Sequence, residues 1–132
     1  LTSEVNREGI PAISLVQDTS TITACLNDYG PDEIFKRVFS SLSAKGDILL
    51  AISTSGNSSN IIEVLKLANS RDIYSLGFLG GGGGKALEYC DSAFIVPSKI
   101  TARIQESHIT AGHAMLQYIE DKLLNIGWLT KD

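Results

Sequence analysis

Six consecutive residues, Ser53-Thr54-Ser55-Gly56-Asn57-Ser58, concentrate hydroxyl groups around a glycine and an amide. Just before them, Ile48-Leu49-Leu50-Ala51-Ile52 reads as a strand buried on both faces, and a helix opens near Ser58 to Asn60. Hydroxyl donors, a tight turn at Gly56 and the free first-turn amides of a helix together make a seat for an oxyanion such as a phosphate. The same residues also make an ordinary strand-to-helix loop capped by Ser or Asn, and the residues alone leave both readings open. A second constellation, Arg103-Ile104-Gln105-Glu106-Ser107-His108-Ile109-Thr110-Ala111-Gly112-His113, holds both histidines of the chain. An imidazole titrating near neutrality serves as acid/base catalyst or metal ligand, while a satisfied or exposed side chain is the plainer alternative. The spacing from His108 to His113 is not the i, i+4 pattern of a helical zinc pair. Gln105 and His113 stand about 12 Å and roughly 80° apart on an ideal helix, so they would line one pocket only as residues of different protomers.

These residues need a scaffold, and the pattern supplies one. Residues 11–16 read as a first strand entered through Gly9 and Pro11. Asp18, Thr19 and Ser20 offer caps for a helix that stops at Asn27-Asp28-Tyr29-Gly30. Pro31 opens another, with Ile34, Phe35, Val38, Phe39 and Leu42 as its core stripe and Asp32, Glu33, Lys36 and Arg37 in solvent. Past the hydroxyl-rich turn comes a helix carrying Ile61, Ile62, Val64, Leu65, Leu67 and Ala68, with Asn60 and Glu63 spaced as a loose capping box. A strand over 73–79 runs into five glycines at 80–84, which read as a flexible connection in preference to a ligand wrap. A short helix over 85–90, a strand over 93–96 and a long helix over 102–126 complete the chain. Alternating strands and helices predict an α/β three-layer αβα sandwich with a parallel sheet and its ligand beyond the carboxyl ends of the strands, where Ser53 to Ser58 fall.

Composition narrows the field. At 132 residues with 43% hydrophobic content, 1–132 reads as a single domain able to bury a core without staples. A net charge of -4 and no basic block argue against nucleic acid as the main ligand. Cys25 and Cys90 lack CxxC spacing and read as reduced packing residues of a cytoplasmic protein. No apolar run has the length of a membrane span. The chain starts at Leu1, and Leu1 to Glu8 resemble the tail of a helix, as in a piece of a longer protein.

Three ordered motifs carry a resemblance that covers nearly the whole chain: Asn27-Asp28-Tyr29-Gly30, Ile52-Ser53-Thr54-Ser55-Gly56-Asn57-Ser58, and Ala102-Arg103-Ile104-Gln105-Glu106 with His113 eight residues after Gln105. Together they resemble the sugar isomerase (SIS) domain, flavodoxin-like in architecture, and within it the phosphoheptose isomerase family. The resemblance implies interconversion of sedoheptulose 7-phosphate and D-glycero-D-manno-heptose 7-phosphate by a cytoplasmic homotetramer, with zinc, in carbohydrate metabolism that feeds lipopolysaccharide biosynthesis. Substrate would contact Asn27 and Asp28, the phosphate would contact Ser53, Thr54, Ser55 and Ser58, and Gln105 would meet the sugar or the metal. His113 would be the catalytic and metal-binding histidine.

Departures from the family pattern matter as well. The family's catalytic glutamate, its metal-binding histidine and a Gly-Gly-Ser loop would lie upstream of Leu1, so this chain is expected to bind a sugar phosphate weakly and isomerise it poorly. Five glycines stand where the family has one or two, and Ala102 replaces an aspartate. A non-catalytic SIS scaffold that binds a replication initiator, or a sugar-phosphate sensor, are the alternatives; Gln105 and His113 favour the enzyme, because isomerisation needs a titrating base.

Overall fold

A computed structural model describes residues 9–130. In chain order they form α1 (Thr19–Tyr29), a 3-10 turn (Pro31–Glu33), α2 (Ile34–Leu42), β1 (Ile48–Ser53), α3 (Ser59–Ser70), β2 (Tyr74–Gly80), a second 3-10 turn (Lys85–Tyr89), β3 (Ser92–Val96) and α4 (Thr101–Asn125). The strands pair in parallel in the order β1-β2-β3. Register puts Ser53 beside Leu79, and Ile52, Phe78 and Phe94 in one row.

Local chemistry explains the boundaries. Asp18 caps α1, accepting from the Ser20 amide at 3.0 Å and from the Thr21 hydroxyl, a bond that holds its carboxyl below the usual carboxylate range. Gly30 ends the helix at φ 88, a conformation that favours glycine, and its amide donates to the Cys25 carbonyl at 3.1 Å. Pro31 then starts the 3-10 turn that leads into α2.

Strand periodicity separates the two faces of the sheet. Leu49 and Ala51 of β1 join Phe39 of α2, Val64, Leu65 and Ala68 of α3, and Leu79 of β2 in one buried cluster. Phe78 and Phe94 point the other way, against His108 of α4. Helices therefore cover both sides of the sheet, the expected three-layer α/β arrangement with parallel strands. Three corrections follow. Residues 11–16 form no strand: Pro11 has no amide to donate, the Ser14 carbonyl is taken by a turn to the Gln17 amide at 3.3 Å, and only Leu15 packs on the core. Nor is β1 covered on both faces, because α4 packs on β2 and β3; Ile48, Leu50 and Ile52 are 68%, 43% and 53% exposed. The proposed capping box is absent too, since Ser58 is the N-cap of α3, Asn60 accepts from the Ile61 amide, and Glu63 pairs with Lys66.

One polar staple closes the far edge. Ser75, fully buried, donates its amide to the Asp91 carboxylate at 2.7 Å, and its hydroxyl lies 2.9 Å from the same oxygen. The Ser75 backbone and side-chain bonds hold the Asp91 carboxyl below its usual range. A depressed carboxyl contributes stability above its unfolded pKa and loses it as pH falls through the folded value. Asp91→Ala is therefore expected to melt at lower temperature than the wild type at neutral pH, with the difference closing below the ordinary value of 3.8. Thermal melts across that range check it; a gap unchanged under acid would contradict it.

Candidate functional site

The hydroxyl-rich turn joins the end of β1 to the start of α3, at the carboxyl edge of the sheet. Its internal bonds decide which groups remain for a ligand. Ser53 is buried, and its Oγ accepts from the Gly56 amide at 3.1 Å. The Ser55 Oγ accepts from the Asn57 amide at 3.1 Å, and the Asn57 side chain donates back to the Ser55 carbonyl at 3.0 Å. Each hydroxyl thus spends a lone pair on the backbone, and the Ser55 hydroxyl keeps its proton to donate. Ser58, although at the N-cap, makes no side-chain cap bond; its Oγ faces the Ser53 Oγ at 3.3 Å. The ordinary use of a serine at this position is to satisfy first-turn amides. Here the Asn60 Oδ1 takes the Ile61 amide at 2.8 Å, and the Ser59 and Asn60 amides, with one proton of the Ser53–Ser58 hydroxyl pair, remain for an anion.

The glycines at 80–84 are a structural part of this turn, which corrects their reading as a flexible connection. Gly56 has φ 64, and a Cβ there would lie 1.9 Å from the Gly83 carbonyl oxygen. A Cβ on Gly84, φ 56, would lie 2.5 Å from the Gly56 carbonyl oxygen. Two backbones interlock at a spacing only glycine permits. Flanking bonds fasten the junction, from the Ala86 amide to the Gly56 carbonyl at 2.8 Å and from the Lys85 amide to the Asn57 Oδ1 at 3.1 Å.

Asn27 and Asp28 lie exposed in the last turn of α1. Four residues after Asp28, the Asp32 carboxylate accepts from the hydroxyl of Ser59, the first residue of α3, and so ties this segment to the start of that helix. Asp32 is thus a link between elements as well as a solvated charge. Its neighbours are engaged too: Glu33 pairs with Lys36 at 2.7 Å and Arg37 covers the Tyr29 ring at 3.7 Å.

The first turn of α4 reaches the same edge. Ile104 is buried, and a Cβ on Gly80 would lie 2.4 Å from the Thr54 carbonyl oxygen and 2.6 Å from Ile104 Cδ1. Gln105, next in sequence, is exposed in the first turns of α4. His113 does not join it within one chain. Nine residues past Ile104, it is turned by roughly 180° from the sheet-facing side of the helix and displaced by about 13 Å along it, and it is exposed. α4 is one continuous helix through both positions, so the wide separation of Gln105 and His113 holds. Among the described residues no group of three or more His, Cys, Asp or Glu side chains is placed to hold a metal ion. Gln105 and His113 of one chain therefore do not fit a tetrahedral zinc site. The buried histidine is His108.

A strand-turn-helix junction at the carboxyl edge of a parallel sheet, with a long helix closing over it, defines an α/β domain of three layers, and comparison with known proteins gives its family. The family model of the SIS domain matches residues 2–80, and the chain belongs to that family. It is 47% identical over 120 residues to the phosphoheptose isomerase of Aliarcobacter butzleri, covering 91% of this chain and 64% of that protein. With the phosphoheptose isomerase of Campylobacter concisus it shares 48% identity over 115 residues, 87% of this chain and 61% of that protein. The solved phosphoheptose isomerase of Neisseria gonorrhoeae superposes with a TM-score of 0.81 at 44% identity, over 83% of this chain and 61% of that one. That of Francisella tularensis gives 0.81 at 37% identity, over 84% and 60%. The chain thus spans between 60% and 64% of the length of these relatives.

Proposed function

We propose that this chain is the phosphate-seating part of a phosphoheptose isomerase acting on sedoheptulose 7-phosphate. The observation that carries the reading is the Ser58 hydroxyl, which leaves α3 without a side-chain cap and turns to Ser53. Ser53, Thr54, Ser55 and Ser58 anchor the phosphate, and the α3 amides add the field of a helix N-terminus. Asn27 and Asp28 meet the sugar hydroxyls, and Gln105 holds the reacting end. Aldose-ketose isomerisation moves a proton between adjacent carbons through an enediol, so a base must take it from one carbon and return it to the next. His113 fills that role. Its rotation away from its own sheet fits an oligomer in which the histidine of one copy serves the seat of another, which the family resemblance makes a homotetramer. Zinc, where bound, would polarise the carbonyl and would draw Gln105 and His113 from different protomers. The surrounding biology of the reading is cytoplasmic heptose supply for surface glycans; among the described residues no helix is long and apolar enough to cross a membrane.

Calorimetry of this chain with sedoheptulose 7-phosphate and with sedoheptulose tests the reading. Charge-assisted bonds at the seat predict a loss of about a hundredfold in affinity without the phosphate. Equal affinity for the two sugars would overturn it.

A further inference from the structure

The aromatic side of the sheet holds a polar group that neither the phosphate seat nor the proposed proton transfer uses. His108 is 5% exposed and packs against the adjoining rings of Phe78 and Phe94, 5.7 Å and 6.3 Å away between ring centres. Its Nε2 lies 3.1 Å from the Leu79 carbonyl oxygen. A carbonyl only accepts, so Nε2 carries the proton and donates. The Nδ1 atom is buried and has no hydrogen-bond partner among the described residues. An apolar side chain would fill this place without leaving a polar atom unpaired, so packing alone does not call for histidine.

What the bond does follows from its position. Ile104, His108 and Gly112 recur every four residues on the sheet-facing side of α4. Ile104 rests on Gly80, His108 bonds the carbonyl of Leu79 just before it, and Gly112 brings the helix close to Phe78, where a Cβ would lie 3.9 Å from the ring. Apolar contacts tolerate sliding along the helix axis, whereas a hydrogen bond to one carbonyl does not. Gly80 in turn abuts the Thr54 carbonyl of the serine turn. We propose that His108 is a positioning residue: its bond to Leu79 sets the height at which α4 crosses the end of β2, and so where Gln105 stands relative to the phosphate seat. The ligand arm of this inference rests on the sugar-phosphate reading.

Glutamine at this position places an amide donor near the Nε2 position, asparagine is too short to reach Leu79, and phenylalanine keeps the ring without the donor. The test compares His108→Gln, His108→Asn and His108→Phe in this chain by melting temperature, by affinity for sedoheptulose 7-phosphate and inorganic phosphate, and by NMR shifts of the Leu79 carbonyl and Gly80 amide. His108→Gln is expected to keep the wild-type preference for the heptulose phosphate over phosphate. His108→Asn and His108→Phe are expected to lose about tenfold of it, the worth of one hydrogen bond, with phosphate affinity unchanged. The Leu79 and Gly80 shifts should separate the same two groups. Preference that follows melting temperature and not the donor would overturn the proposal, as would shifts identical in all four proteins. A wild-type chain with no preference for the sugar would instead sink the sugar reading, and the Leu79 and Gly80 shifts would then decide on His108 alone.

Discussion

Gly56→Ala is expected to abolish saturable binding of phosphate esters and to lower the melting temperature by about 10–20 °C. Gly56 sits at φ 64, and its new Cβ would meet the Gly83 carbonyl oxygen at 1.9 Å, the Gly83 carbonyl carbon at 2.4 Å and the Gly84 amide at 2.9 Å. All three atoms belong to backbone, so no side chain can swing aside. The left-handed conformation costs a residue with a Cβ about 1–2 kcal/mol. Parting the two loops also breaks the bonds from Ala86 to Gly56 and from Lys85 to Asn57, each worth about 1 kcal/mol. A total of about 3–4 kcal/mol is a large share of the roughly 5–15 kcal/mol that holds a domain together. Denaturation curves and phosphate titrations measure both effects; a variant that melts and binds as the wild type does would contradict the interlock.

Ser58→Ala separates two uses of one hydroxyl. At an N-cap whose serine bonds the helix amides, alanine costs about 0.5–2 kcal/mol. Ser58 makes no such bond, so the melting temperature of Ser58→Ala should stay within about 2 °C of wild type. Affinity for a sugar phosphate should nonetheless fall by about 10- to 100-fold, because a hydrogen bond to a charged oxygen is worth about 1.5–3 kcal/mol. The reverse pattern, a lower melting temperature with affinity intact, would make Ser58 a structural cap and remove one donor from the seat.

Periodicity carried much of this architecture in the amino-acid order. The long helix α4, and β1 with the turn that leads from it into α3, stand within a few residues of expectation, because apolar spacing and turn residues act locally. Where tertiary contacts decide, the sequence said less. Residues 11–16 are apolar enough for a strand but have no ladder partner among the described residues. The glycines at 80–84 looked like slack because their partner, Gly56, lies 24 or more residues away in sequence. The burial of His108 against Phe78 and Phe94 is likewise created by the fold and has no local signature in the sequence. For the site itself, the hydroxyl cluster was legible from composition alone. The separation of Gln105 from His113 was legible too, from helix spacing, whereas which hydroxyls keep a free proton emerges only from the assembled backbone.

Titration of the labelled chain with inorganic phosphate, followed through backbone amide NMR shifts, tests the anion seat most directly. The account predicts saturable shifts centred on Thr54, Ser55, Ser58, Ser59 and Asn60, with smaller ones relayed to Gly83 and Gly84. Shifts centred away from the junction of β1 and α3, or none at concentrations that saturate phosphate-binding loops, would contradict it.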